Sequence, residues 1–302
     1  MKTFKKLLLV GLGLLVLSCS KDAEPKEEKL TAVDKALNRL ASGDSGSDIL
    51  SNDTYSNLLI EIGYVTGFRP TSRAIADLTD FLTQRTFKEN IEITYIELDS
   101  PAEDDLTLQE IANLEEDNRT AYTSGNTLAI YIYFADAPAE GDDLDSGLVT
   151  LGAVYRNTSM VIHEKTVRTL ASRSFTISNA DVESTTLNHE FGHLFGLVDL
   201  GATMVNDHQS QSENDEGELV GDNHCNVNGC LMRAELQFGG GSTAGKSTFR
   251  SSKAVYEAGI RSGCAVSGNT ILSLLHSTTA KNAATPGLDA ECLLDLADNG
   301  GR

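Results

Sequence analysis

His189-Glu-Phe-Gly-His193-Leu-Phe-Gly196-Leu-Val-Asp199 is the stretch from which the rest of the chain is best read. On a helix, positions i and i+4 lie one turn apart on one face, so His189 and His193 can both reach a single ion. Neutral imidazole is a good zinc ligand. Glu190 follows the first histidine and brings a carboxylate to the same site. There it can take a proton from water whose pKa zinc has lowered toward about 7. Leu187, Phe191, Leu194 and Phe195 make the segment strongly apolar, so the helix is expected to be buried. A buried histidine pair needs partners, and a metal supplies them. The expectation is a zinc centre with Glu190 as general base, a minimal set for peptide-bond hydrolysis.

Outward from this helix, expected over 181–195, strands and helices alternate. Leu-Ala-Ile-Tyr-Ile-Tyr-Phe at 128–134 is the strongest strand signal in the chain. Further strands are expected at 58–65, 91–98, 148–155 and 160–164, with helices at 72–87 and 106–118. The pattern predicts an α/β fold: a mixed, twisted sheet with helices, the histidine-bearing helix, and a smaller, irregular, Gly/Ser-rich C-terminal subdomain with a helix at 252–261. The domain layout read from composition is a signal peptide at 1–19, a polar tether at 20–54 and a catalytic domain at 55–302. That domain divides into an N-terminal part, 55–196, and a C-terminal part, 197–302.

Lys2, Lys5 and Lys6 precede an apolar run, 7–17, that is too short to span a bilayer as a mature helix. Val16-Leu17-Ser18-Cys19 follows and looks like a bacterial lipobox, with Cys19 as the lipidated residue and an acidic tract after it. Setting Cys19 aside leaves Cys225, Cys230, Cys264 and Cys292 from the five cysteines. In an oxidising compartment these can close two disulfides. Sequence proximity favours Cys225–Cys230 and Cys264–Cys292 among three possible pairings. A second zinc on the same four is less favoured, because the outer pair lacks knuckle spacing. The net charge of -20 argues against nucleic acid as a partner. Asp142, Asp143 and Asp145, flanked by Gly141 and Gly147, offer calcium a site, although a solvated acidic loop is the favoured reading. Gly240-Gly-Ser-Thr-Ala-Gly245-Lys246-Ser247 matches a P-loop pattern but lacks the buried strand that such a loop requires.

His-Glu-x-x-His-x-x-Gly is the metzincin signature, and the chain resembles that clan of zinc peptidases. Gly196 is then the turn after the zinc helix, since glycine accepts φ > 0 at little cost. Asp199 stands where the third histidine is usual, as in snapalysins. His224-Cys225-Asn-Val-Asn-Gly-Cys230-Leu-Met232 is similar to the archaemetzincin segment that starts with the third zinc histidine. An acidic, loop-like stretch separates it here from Gly196. The third ligand is therefore Asp199 or His224, with imidazole favoured, and His208 is an outside choice. Met232 fits the Met-turn beneath the metal. The tyrosine that some metzincins place two residues later is Ala234 here. The N-terminal tract resembles the lipoprotein export signal of Bacteroidetes, and the whole chain resembles their secreted membrane-associated metalloprotease lipoproteins. The resemblance implies a zinc endopeptidase acting on proteins or peptides outside the cytoplasm. It would be monomeric and held by its lipid anchor to the outer membrane, at the cell surface or on the periplasmic face. It also offers 148–155 as the edge strand along which an extended substrate would lie. The competing reading is a non-catalytic surface lipoprotein with a structural or degenerate zinc site.

Overall fold

The computed structural model describes residues 34–143, 149–174, 177–214, 217–234 and 286–302. The signal peptide with Cys19, the start of the tether, Asp145, the P-loop-like segment, the 252–261 helix, Cys264 and His276 lie outside the described residues.

Five strands form the main sheet: β1 (Asn57–Val65), β2 (Asn90–Leu98), β3 (Thr127–Phe134), β4 (Gly152–Arg156) and β5 (Ser159–Ile162), in the order β2-β1-β3-β5-β4. β1 pairs in parallel with β2 and β3, and β3 with β5, while β4 returns antiparallel to β5 as the edge strand. The mixed α/β sheet is thus the expected one, and 148–155 contributes an edge strand beginning at Gly152. β3 is apolar on both faces because it is central and covered on both. Leu128, Ile130, Ile132 and Phe134 join one core, while Tyr131 and Tyr133 join the other. Each fully buried Leu or Ile contributes about 1.5–3 kcal/mol relative to exposure.

One face of the sheet is covered by α2 (Ser72–Arg85), α4 (Glu164–Ser172) and α5 (Asn179–Leu194), and the other by α3 (Leu108–Asn118). α3 and α5 both start in a capping box, Thr107 with Glu110 and Ser178 with Asp181. Glu164, expected at the end of a strand, opens α4 instead. His163 is buried beside it, with Nδ1 on the Ala137 carbonyl at 3.0 Å.

Three further segments differ from expectation. Residues 34–54 are packed into the domain rather than forming the end of a tether. They carry a turn of 3-10 helix at Lys35–Asn38 and α1 at Gly46–Leu50, and Ile49 and Leu50 are fully buried. Their polar composition misleads because the polar groups point inward. Asn38 Nδ2 donates to Thr123 Oγ1, the Ala129 carbonyl and Thr158 Oγ1 at 2.9–3.0 Å. Lys88 Nζ donates to the carbonyls of Asp48, Ser51 and Tyr55. The acidic stretch after Gly196 is a β-hairpin, β6 (Gln209–Glu213) with β7 (Leu219–Cys225), not a loop. α6 (Ala290–Asp298) follows near the end of the chain, capped by Asp289.

Candidate metal centre and active site

α5 is buried along most of its length, and His189, Glu190 and His193 are all fully inaccessible. The helix closes in a Schellman motif, in which Leu197 N–H donates to the Gly192 carbonyl at 3.1 Å and Gly196 N–H to the His193 carbonyl at 3.0 Å. Gly196 takes φ +83°, the value that motif requires. Val198 and Asp199 also sit at positive φ, 57° and 61°, so the chain reverses within a few residues of the histidines. It then runs through the β6–β7 hairpin and returns at His224.

This return brings three imidazoles together. One ring nitrogen from each of His189, His193 and His224 lies within 4.8 Å of the others. The Nε2 atoms of His189 and His193 are 3.0 Å apart. His189 Nδ1 donates to the Leu231 carbonyl at 2.7 Å, which leaves its Nε2 with a lone pair facing His193. Burial, with His224 nearby, lowers the His189 pKa to about 3, against the Leu231 hydrogen bond. Burial followed by the other two imidazoles pushes His193 well below its usual value. These two therefore favour the neutral, ligating form. Asp222 stands 3.6 Å from His224 Nδ1 and accepts the His224 backbone N–H at 3.1 Å. Burial opposes ionisation of Asp222, but hydrogen bonds from His224 and Ser210 hold its pKa below the ordinary carboxylate value.

Asp199 is exposed and is not part of this cluster. His208 is buried elsewhere, with Nε2 3.5 Å from Cys292 Sγ. Of the three residues weighed as partner to the helical pair, the fold brings in His224.

Glu190 lies between α5 and the edge strand. A Cβ placed on Gly152 would stand 3.0 Å from Glu190 Cγ and 3.1 Å from its Oε1. No side chain hydrogen-bonds to either buried carboxylate oxygen, and His193 Nδ1 is buried without a partner. Burial raises the Glu190 pKa well above its usual value, and the backbone of Val154 opposes the shift only in part. Isolated buried carboxylates are costly, so this one fits a site that receives a cation and a reactant. The Nε2 atoms of His189 and His193, 3.0 Å apart, are close enough to share one cation. The residues therefore fit a zinc ion on three imidazoles.

Met232 is fully buried against the same helix, its Sδ 2.2 Å from where a Gly192 Cβ would be. Gly192 is the residue that lets it approach.

A second cluster lies beyond Met232. The Sγ atoms of Cys225, Cys230 and Cys292 and a carboxylate oxygen of Asp289 are all within 4.8 Å of one another. Cys225 Sγ donates to Asp289 Oδ2 at 2.9 Å, and Cys230 and Cys292 Sγ are 3.5 Å apart. The backbone N–H groups of Val227 and Met232 donate to the sulfurs of Cys225 and Cys230, each at 3.3 Å. Hydrogen bonds from the other two thiols lower the Cys230 pKa, which favours a thiolate there. All three cysteines are free, so the expected Cys225–Cys230 disulfide is not formed, and Cys292 is turned to this cluster. The physical reason is convergence: four donors from two distant segments meet at one point, as a tetrahedral metal site requires. Of the acidic triad read as a calcium site, Asp145 lies outside the described residues, and Asp142 accepts the Thr150 N–H at 2.9 Å.

No protein-family model matches the sequence, and no curated protein compared with it is detectably similar. Among solved structures, an archaemetzincin from Methanopyrus kandleri aligns over 73% of this chain and 94% of its own, with 14% identity and a TM-score of 0.38. Metalloproteinase-II from Bacteroides fragilis aligns over 89% of this chain and 58% of its own, with 14% identity and a TM-score of 0.37.

Proposed function

We propose that this chain is a zinc-dependent endopeptidase acting outside the cytoplasm, with zinc on His189, His193 and His224 and Glu190 as the general base. The observation that carries the reading is the meeting of three buried imidazoles beside a buried carboxylate that no other side chain pairs. A purely structural zinc site has no use for that carboxylate. A second zinc on Cys225, Cys230, Cys292 and Asp289 is assigned a structural role, since four protein donors leave no open position.

When bound, the zinc at the histidines supplies a Lewis acid for the scissile carbonyl and a positive charge that favours ionised Glu190. Glu190 takes the proton of the attacking water on a carboxylate oxygen and passes it to the leaving nitrogen. The Leu231 carbonyl keeps the His189 proton on Nδ1, so Nε2 stays available. β4 is the edge strand among the described residues and offers main-chain groups to an extended peptide, and Gly152 on that strand keeps the backbone close to Glu190. No helix among the described residues is long and apolar enough to cross a membrane. Attachment is assigned to a lipid on Cys19, with the domain at the outer membrane.

Protein lacking residues 1–19 tests the reading. Zinc content should be two per chain. Glu190→Ala should keep both ions and cleave unfolded protein roughly 10²–10⁴-fold more slowly, the usual share of general acid–base catalysis. His224→Ala should lose zinc from the histidine centre, whereas Asp199→Ala and His208→Ala should retain it there. Equal cleavage by the native protein and a zinc-loaded Glu190→Ala variant would remove the catalytic reading and leave a metal-binding surface lipoprotein.

A further inference from the structure

The two candidate metal centres share one short segment of chain, 224–232. Its first residue, His224, belongs to the histidine centre, and the next, Cys225, to the sulfur centre. At the other end Cys230 belongs to the sulfur centre. Leu231, its neighbour, gives its carbonyl to His189 Nδ1 at 2.7 Å, and Met232 lies under Gly192. The segment is closed on itself by Cys225 N–H donating to the Met232 carbonyl at 2.7 Å. It is tied to the far end of the chain by Leu231 N–H donating to the Gly287 carbonyl at 2.8 Å. One ligand of the histidine centre and the group that orients another therefore hang from a loop whose two anchor points are the cysteines.

We infer that occupancy of the sulfur centre by a metal organises the histidine centre, so that the two bind metal with positive coupling. With the sulfur centre filled, Cys225 and Cys230 are fixed relative to α6, and His224 and the Leu231 carbonyl are fixed with them. With it empty, the ordering of this loop must be met by the metal that binds the histidines, and its affinity falls accordingly. Coupling between sites is reciprocal, so metal on the histidines strengthens the sulfur centre by the same factor. This inference rests on the reading that both clusters hold metal.

Cobalt(II) added to metal-free protein lacking residues 1–19 tests it, because the two centres report separately. Cobalt on thiolates gives an intense near-ultraviolet charge-transfer band, and cobalt on imidazoles gives only weaker visible bands. Native protein is titrated first. Absence of the charge-transfer band there refutes the sulfur centre, and absence of the imidazole bands refutes the histidine centre, so failure of the underlying reading is seen before any variant is made. Asp289→Asn and Cys292→Ser then empty the sulfur centre from the α6 side, without touching the shared loop. Asparagine also keeps the helix cap that Asp289 provides. Circular dichroism checks that both variants fold. The expected result is loss of the charge-transfer band and at least about tenfold weaker cobalt binding at the histidines, within the usual range for coupled sites. Folded variants that are empty at the sulfur centre yet bind cobalt at the histidines with native affinity would overturn the inference. Should both variants fail to fold, the native titration decides. Imidazole and charge-transfer bands that rise together and sigmoidally with free cobalt support it, and two independent hyperbolic curves overturn it.

Discussion

Gly192→Ala is a test of how closely the methionine floor is fitted to the metal helix. In an open helix interior the change should stabilise by about 0.8–1.0 kcal/mol, the difference in helix propensity. Here the new Cβ would stand 2.2 Å from Met232 Sδ and 2.9 Å from its Cε. Ordinary contact is about 3.5–4.0 Å, so the thioether must retreat by roughly 1.5 Å. Met232 is fully buried, so that motion disturbs its neighbours. Overpacking of this kind costs about 1–3 kcal/mol, and the flexible end of a methionine places it toward the lower figure. In a Met232→Ala background the obstacle is gone, and the propensity gain should appear in full. The quantity to measure is the coupling energy of the double-mutant cycle, expected at about 1–3 kcal/mol. Urea unfolding of the four metal-free proteins at pH 7 gives it without interference from zinc. If Gly192→Ala stabilises the native and Met232→Ala proteins equally, the proposed contact does not exist.

Two further outcomes follow from buried groups away from the metal. Gly43 has φ +84°, and a Cβ there would fall 1.7 Å from the Leu200 carbonyl oxygen, a backbone atom that cannot swing aside. Gly43→Ala should destabilise by more than about 3 kcal/mol. No change in the urea midpoint would mean that residues 34–54 are a tether after all. Burial holds the His163 pKa at about 4, below the ordinary value of 6.5, with the Ala137 hydrogen bond opposing. The unfolded chain therefore binds more protons than the folded one between those two pH values. Stability on this account is full above pH 6.5 and falls as pH drops toward 4, by roughly 3 kcal/mol in all. Unfolding of His163→Gln should be correspondingly less sensitive to acid over that window, and an unchanged pH profile would refute the assignment.

The sheet and the metal helix were legible because each carries a strong local pattern. The all-apolar run of β3 reads directly as a central strand, and the spacing of His189 and His193 reads directly as a shared helical face. The segment 34–54 was not legible because its anchors are polar. Asn38 and the partners of Lys88 have value only through groups far along the chain. The hairpin was hidden by weak alternation: Gln209, Ser210, Gln211 and Ser212 carry no hydrophobic period. Asp289 was missed as a metal-ligand candidate because an aspartate before a helix reads first as a cap, and it does cap α6 with Oδ1 while Oδ2 meets Cys225. Its spacing to Cys292, three residues, was the available signal. Gly152 gave no signal at all, since a glycine at the start of a strand shows nothing of the carboxylate that packs on it.

The position of α6 bears on the order in which the molecule becomes complete. Asn299 Nδ2 donates to the Phe195 carbonyl at 2.6 Å, closing the C-terminal end of α5, and Asp295 accepts the Val205 N–H at 2.7 Å. Asp289 and Cys292 finish the sulfur cluster. A ribosome makes all of these residues long after His189 and Glu190. Until they emerge, the nascent chain holds α5 without the groups that seal and steady it. The fold thus carries its own delay: the end of α5 is closed and the sulfur cluster is complete only when synthesis has passed Asn299.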